Sequence, residues 1–168
     1  MIAAAYEVDS QINAEMEYTG QQNATDNVLL QKSDAILRQT ELSDYKVIEN
    51  LSDKQYLVLE KGNNVQVVFR GRAGDNVPDN THVADTLKGK VKDYAYIDEL
   101  MGELQIMRPN ADIGVVSYSN GGPKGLYMAE KYGLPHYTVD PVLGPREVTL
   151  LTSATGHVTS KLVAVWCT

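Results

Sequence analysis

At 168 residues, 43% of them apolar, the chain is long enough to bury a core and is read as a single domain over residues 1–168. A formal net charge of −7, with no clustering of Lys or Arg, argues against nucleic acid as a partner. A lone cysteine, Cys167, excludes an internal disulfide framework, and no apolar run approaches the length of a transmembrane segment.

In chain order, Ile2, Ala5, Val8, Ile12 and Met16 recur at helical spacing up to a stop near Gly20. The opening Met1 to Asp9 carries neither a basic stretch nor a long apolar one, so no signal peptide is read and the cytoplasm is the default compartment. Residues 20–35 are polar and read as a connection, with a short helix over 34–39. A helical segment 1–40 is thus expected ahead of a sheet core over 45–167. From Tyr45 the period becomes that of strands, Tyr45–Asn50 and Tyr56–Glu60, separated by Leu51, Ser52, Asp53 and Lys54. The turn signal Lys61-Gly62-Asn63-Asn64 predicts a hairpin between Tyr56–Glu60 and Val65–Arg70.

Gly71 to Asp85 is rich in Gly, Pro, Asn and Asp and leaves the end of an apolar strand, the setting of a functional loop. A helix follows, with Tyr94, Ile97, Met101 and Leu104 on one face, closed by Arg108, Pro109 and Asn110. The apolar run Ile113–Val116 then reads as a strand buried on both faces, so strand, loop, helix and strand form a crossover unit that builds a parallel sheet. The chain next turns sharply through Ser117-Tyr118-Ser119-Asn120-Gly121-Gly122 into a helix with Pro123 in its first turn. Gly133 ends that helix and Pro135 blocks its resumption. A strand, a serine on a tight turn and a helix make a nucleophile elbow, with small residues (Ser117 and Gly121) two before and two after Ser119. The competing reading of Ser119 is a helix cap.

The pairing of Val67-Val68-Phe69-Arg70-Gly71-Arg72 with Val115-Val116-Ser117-Tyr118-Ser119-Asn120-Gly121-Gly122, one helix apart, resembles the class 3 lipases of the α/β-hydrolase superfamily. In that family the first strand ends in Phe-Arg-Gly-Thr and the elbow reads Gly-His-Ser-Leu-Gly-Gly. Here Arg72 stands at the threonine, Ser117 at the first elbow glycine and Tyr118 at the histidine. The resemblance covers residues 45–142. It implies an α/β-hydrolase-like fold, with a mostly parallel sheet flanked by helices on both faces. It also implies a serine hydrolase that cleaves carboxylic, lipid-type esters through an acyl-enzyme. An ester or lipid is then the substrate, and contact with a lipid surface would be transient.

Such chemistry needs a base for the hydroxyl proton, an acid to orient the base, and donors for the oxyanion. The N–H groups of Asn120 and Arg72 would be those donors, each worth on the order of 3 kcal/mol of barrier. A strand at His136–Asp140 places Asp140 at a carboxyl end, where such sheets carry their sites; its other reading is a turn residue before Pro141. His157 follows Asp140 and keeps the superfamily's serine–acid–histidine order, so it is preferred as the base over His82, which lies on the long loop. His136 opens a strand and reads as structural. A last strand, Leu162–Cys167, holds Cys167 as a buried residue. In the family the acid and histidine follow later strands, so a minimal or C-terminally shortened version is expected. No His/Cys/Asp/Glu group has metal-ligand spacing and Gly121–Gly125 lacks that of a phosphate loop, so neither metal nor cofactor is expected. The alternative to an enzyme is a hydrolase-fold module, catalytically inactive, that serves binding or assembly in a larger complex.

Overall fold

In the computed structural model, which describes residues 35, 37–52, 55–71, 84–90, 94–153 and 160–163, the strand expected over 45–50 is only two residues long: β1, Lys46–Val47. Ser52 explains the early stop. Its hydroxyl donates to the Ile48 carbonyl (2.9 Å) and accepts from the Val58 N–H (2.9 Å), so a side chain takes the place of a ladder partner. The backbone meanwhile coils through a 3₁₀ turn, Glu49–Leu51, that buries Leu51. β2 (Tyr56–Lys61) and β3 (Asn64–Phe69) then form the expected hairpin around Gly62 and Asn63. Of those two only Gly62 has positive φ (59°), the pattern of a type II′ connection.

Three parallel strands follow: β4 (Asp112–Tyr118), β5 (His136–Val139) and β6 (Ser160–Val163). They are joined by α1 (Ala95–Met107), α2 (Gly122–Tyr132) and α3 (Pro145–Ser153). The six strands of the described sheet lie in chain order, β1 to β6, with β1–β2 and β2–β3 antiparallel and the rest parallel. The sheet is therefore mixed, which corrects the expectation of a mostly parallel one. A two-residue connection can only reverse the chain, so the hairpin imposes an antiparallel half that β1 extends. The long helices of the C-terminal half are what parallel pairing needs.

Parallel strands added in sequence by crossovers of one hand place their helices on one face, and α1 and α2 do share a face, against an expectation of helices on both faces. Accordingly, Val58, Val65, Val67, Phe69 and Val115 share a core with Ile97, Leu100, Met101 and Leu104 of α1 and with Met128 and Ala129 of α2. The opposite face carries Leu57, Leu59, Val68 and Val116, all buried. This two-sided burial is why residues 67–69 read as an unbroken apolar run. The two helices are clasped by Asp98 of α1, which accepts from Tyr132 (2.7 Å), Tyr127 (3.1 Å) and Lys131 (2.7 Å) of α2. Lys131 first, then Tyr132, holds the Asp98 carboxyl below its usual range. Among the described residues no helix is long and apolar enough to cross a membrane. The expected N-terminal helix and Cys167 lie outside the described residues.

Phe69 closes the core at the end of β3, fully buried and edge-on to Tyr56 (5.7 Å between ring centroids, 61° between planes). Phe69→Ala is expected to cost about 3–5 kcal/mol. Urea unfolding should show this as a lower midpoint at unchanged slope.

Candidate active site

The carboxyl ends of β3, β4 and β5 converge on the elbow. Phe69 pairs with Ser117, Tyr118 pairs with Val139, and the next residues on β4 and β5 are Ser119 and Asp140. Both have positive φ, 47° at Ser119 and 45° at Asp140. Ser119 thus occupies a region that costs a residue with a Cβ about 1–2 kcal/mol. Aspartate tolerates it better, because its short polar side chain bonds locally.

From Ser119 a 3₁₀ turn, Ser119–Gly121, runs straight into α2. The N-cap of α2 is Gly121, and neither it nor Tyr118, the cap of the 3₁₀ turn, makes a side-chain cap bond. The helix-cap reading of Ser119 therefore has no support in the geometry. Instead its carbonyl accepts two N–H groups, from Gly122 and from Val142 (2.9 Å), which tie the turn to both the helix and the loop after β5.

Glycines make this approach possible. A Cβ on Gly121 would lie 2.6 Å from the carbonyl oxygens of both Phe69 and Arg70, so the end of β3 rests directly on the elbow. A Cβ on Gly122 would lie 2.5 Å from Cβ of Pro141, and one on Gly125 would lie 2.7 Å from Nε2 of His136. At its far end α2 closes as expected: Gly133 (φ 66°) and Leu134 both donate to the Ala129 carbonyl, a Schellman-type stop.

The structure brings Ser119, Asn120 and Asp140 to one end of the sheet. Ser119 is half-buried, Asn120 is buried at the entry to α2, and Asp140 is exposed. Arg72, His82 and His157 lie outside the described residues. Arg70, two residues before Arg72, has its carbonyl against Gly121. Among the described residues no side chain hydrogen-bonds the Ser119 hydroxyl.

Two features near the elbow, one at the end of β3 and one on the strands just below Ser119, were not expected from the sequence. Lys124, in the first turn of α2, is buried, and its ammonium donates to Gln55 Oε1 (3.2 Å), whose backbone carbonyl in turn receives the Arg70 N–H. The ammonium is therefore held beside the end of β3. The second feature is His136. Its Nε2 lies 2.8 Å from Ser117 Oγ, which also hydrogen-bonds Thr138 Oγ1 (2.8 Å), and all three residues are buried. The sequence reading of His136 as structural agrees with this burial, but not the role of Ser117, taken only as a small residue in place of glycine.

Burial pushes the His136 imidazole down from 6.5 to about 4. The neutral form is thus favoured in the folded protein, so stability is fully present above pH 6.5 and is lost as pH falls toward 4. A shift of that size corresponds to a loss of about 3 kcal/mol across that window, with nothing further lost below it through this residue. Urea midpoints measured from pH 7 to pH 4 should follow this fall, and His136→Gln should flatten it.

A cleft of about 440 Å³ lined by Gln66, Gly114, Val116, Pro135, His136 and Tyr137 lies by the middle of β4 and the start of β5. It is away from Ser119, and substrates of open α/β sheets bind at the carboxyl ends of the strands. The elbow, not this cleft, is therefore the candidate site.

No family model, curated protein or solved structure matches the chain.

Proposed function

We propose that this chain is a serine hydrolase of carboxylic esters, with Ser119 as its nucleophile. The observation that supports it is the left-handed Ser119 between β4 and α2, followed by Gly121 and Gly122, which are packed too closely against Phe69, Arg70 and Pro141 to admit a Cβ. Strain of this kind persists only where the surroundings over-determine it, and it gathers at functional sites. A serine lifted on such a turn presents its hydroxyl above the sheet, next to the first N–H groups of a helix.

In this reading Ser119 Oγ attacks the ester carbonyl carbon as a base takes its proton. The tetrahedral oxyanion is received by the N–H groups of Asn120 and Arg72. Collapse expels the alcohol, which leaves with the proton held by the base, and water then cleaves the acyl-serine by the reverse transfers. His157 is the base, oriented by Asp140, and His82 is the other candidate. The resemblance to class 3 lipases supports a lipid-type ester as the substrate and an α/β-hydrolase-like relationship for the fold.

A fluorophosphonate probe tests this directly. The intact protein should gain one adduct, mapped by peptide mass to Ser119, and Ser119→Ala should gain none. A well-folded sample that stays unlabelled would sink the proposal and leave a binding module in its place.

A further inference from the structure

The strained turn needs something to hold the strand that enters it, and the buried cluster beneath the elbow is placed to do so. Ser117 sits two residues before Ser119 and pairs directly with Thr138, while His136 pairs with Val115. The Ser117–Thr138 contact is therefore a direct cross-strand pair and the Ser117–His136 contact a diagonal one, both within reach on one face of the sheet. Gly125 of α2 packs onto the same two side chains, since its Cβ would fall 2.8 Å from Ser117 Cβ and 2.7 Å from His136 Nε2. Entry strand, neighbouring strand and exit helix thus meet at one hydroxyl.

Three apolar side chains would fill this space without the cost of burying polar groups. Ser117 Oγ shares one hydrogen bond with His136 Nε2 and one with Thr138 Oγ1, and the imidazole tautomer sets which partner donates. In either tautomer His136 Nδ1 is a buried polar atom with no partner among the described residues, a cost that packing alone does not explain.

We propose that His136 is a positioning residue for the nucleophile: held on Ser117, it fixes the end of β4 and with it the left-handed turn at Ser119. This role rests on the hydrolase reading for its catalytic meaning. It acts through Ser117 and touches no reacting atom.

The test uses the full chain and two readouts at neutral pH. One is the second-order rate of fluorophosphonate labelling. The other is native-state exchange of the Gly122 and Val142 amides, which donate to the Ser119 carbonyl. His136→Asn puts its amide nitrogen at the Nδ1 position, short of Ser117, whereas His136→Gln can place one near Nε2. His136→Asn should label about tenfold more slowly, the fold-change that matches one lost buried hydrogen bond. It should also speed exchange at those two amides by a similar factor, beyond any change at the core amides of Met101 and Leu104. His136→Gln should restore both, and in a Ser117→Ala background His136→Asn should have no further effect.

Equal acceleration at the elbow and at the core would reduce His136 to a packing residue and overturn the proposal. So would wild-type labelling in His136→Asn. If the wild-type protein itself is not labelled, the hydrolase reading fails, and the exchange arm still decides whether His136 sets the turn.

Discussion

Replacing Ser119 with glycine is expected to abolish ester hydrolysis, lowering kcat/KM by roughly four orders of magnitude or more, while leaving the melting temperature nearly unchanged. The kinetic loss follows from removing the nucleophile. The thermal result follows from two opposed terms. Glycine relieves a left-handed conformation that costs about 1–2 kcal/mol, but it loses about 0.5–1 kcal/mol more chain entropy on folding. Ser119→Ala should lose the same activity yet keep the strain, so the glycine variant should melt no lower than the alanine one. Hydrolysis of a short-chain aryl ester and a thermal scan of the same samples check both halves. Residual turnover near the wild-type rate would mean that another group is the nucleophile.

Gly121→Ala should be the most damaging single-methyl change in the elbow. Its new Cβ would sit 2.6 Å from two backbone oxygens, and Phe69, which carries one of them, is locked in the core. Neither oxygen can swing aside as a flexible side chain would, so β3 and α2 must part. The expected cost is about 2–3 kcal/mol, the upper range for overpacking, with labelling of Ser119 slowed at least tenfold. Gly133→Ala is the contrast. That position has positive φ but open space around a Cβ, so the cost is backbone strain alone, about 1 kcal/mol, with labelling unchanged. Urea midpoints and probe kinetics on the two variants separate the effects. Equal behaviour would show that Gly121 is not where strand and helix are braced.

Much of the frame was legible because it was written in local signals. The hairpin turn at Gly62–Asn63, the apolar run of β4, Pro123 at the start of α2 and Gly133 at its end each act over a few residues. α3 is absent from the sequence expectations although its start carries local signals: Gly144 ahead of it, Pro145 in the first position, and Glu147, whose carboxylate accepts the Gly144 N–H (3.0 Å). The length of β1 depended on a hydroxyl, Ser52, that reaches six residues ahead, which no period reveals. The Ser117–His136 contact spans 19 residues and depends on the register of β5 against β4. A shift of one residue would have turned His136 to the other face. The sheet's mixed character was missed for a related reason. The crossover after β3 is marked by its loop and helix, whereas the antiparallel pairs before it are set by a two-residue turn that says nothing of the rest of the sheet. Of the candidate site, only the strand-end positions of Ser119 and Asp140 are legible, because turn residues mark strand ends, while Arg72, His82 and His157 fall outside the described residues.

The chain-order arrangement of the strands has a consequence for how the protein folds. No later strand has to insert between two earlier ones, so each can add to an edge already formed. The β2–β3 hairpin closes the shortest loop and carries the lowest entropic cost, which makes it the natural nucleus. β4 would dock next through α1, and only then would the elbow acquire the backbone oxygens of Phe69 and Arg70 that brace it. A mutational scan of folding rates should therefore give high φ-values at Val58 and Val67 and low ones at Thr138. The reverse ranking would show that the parallel half forms first.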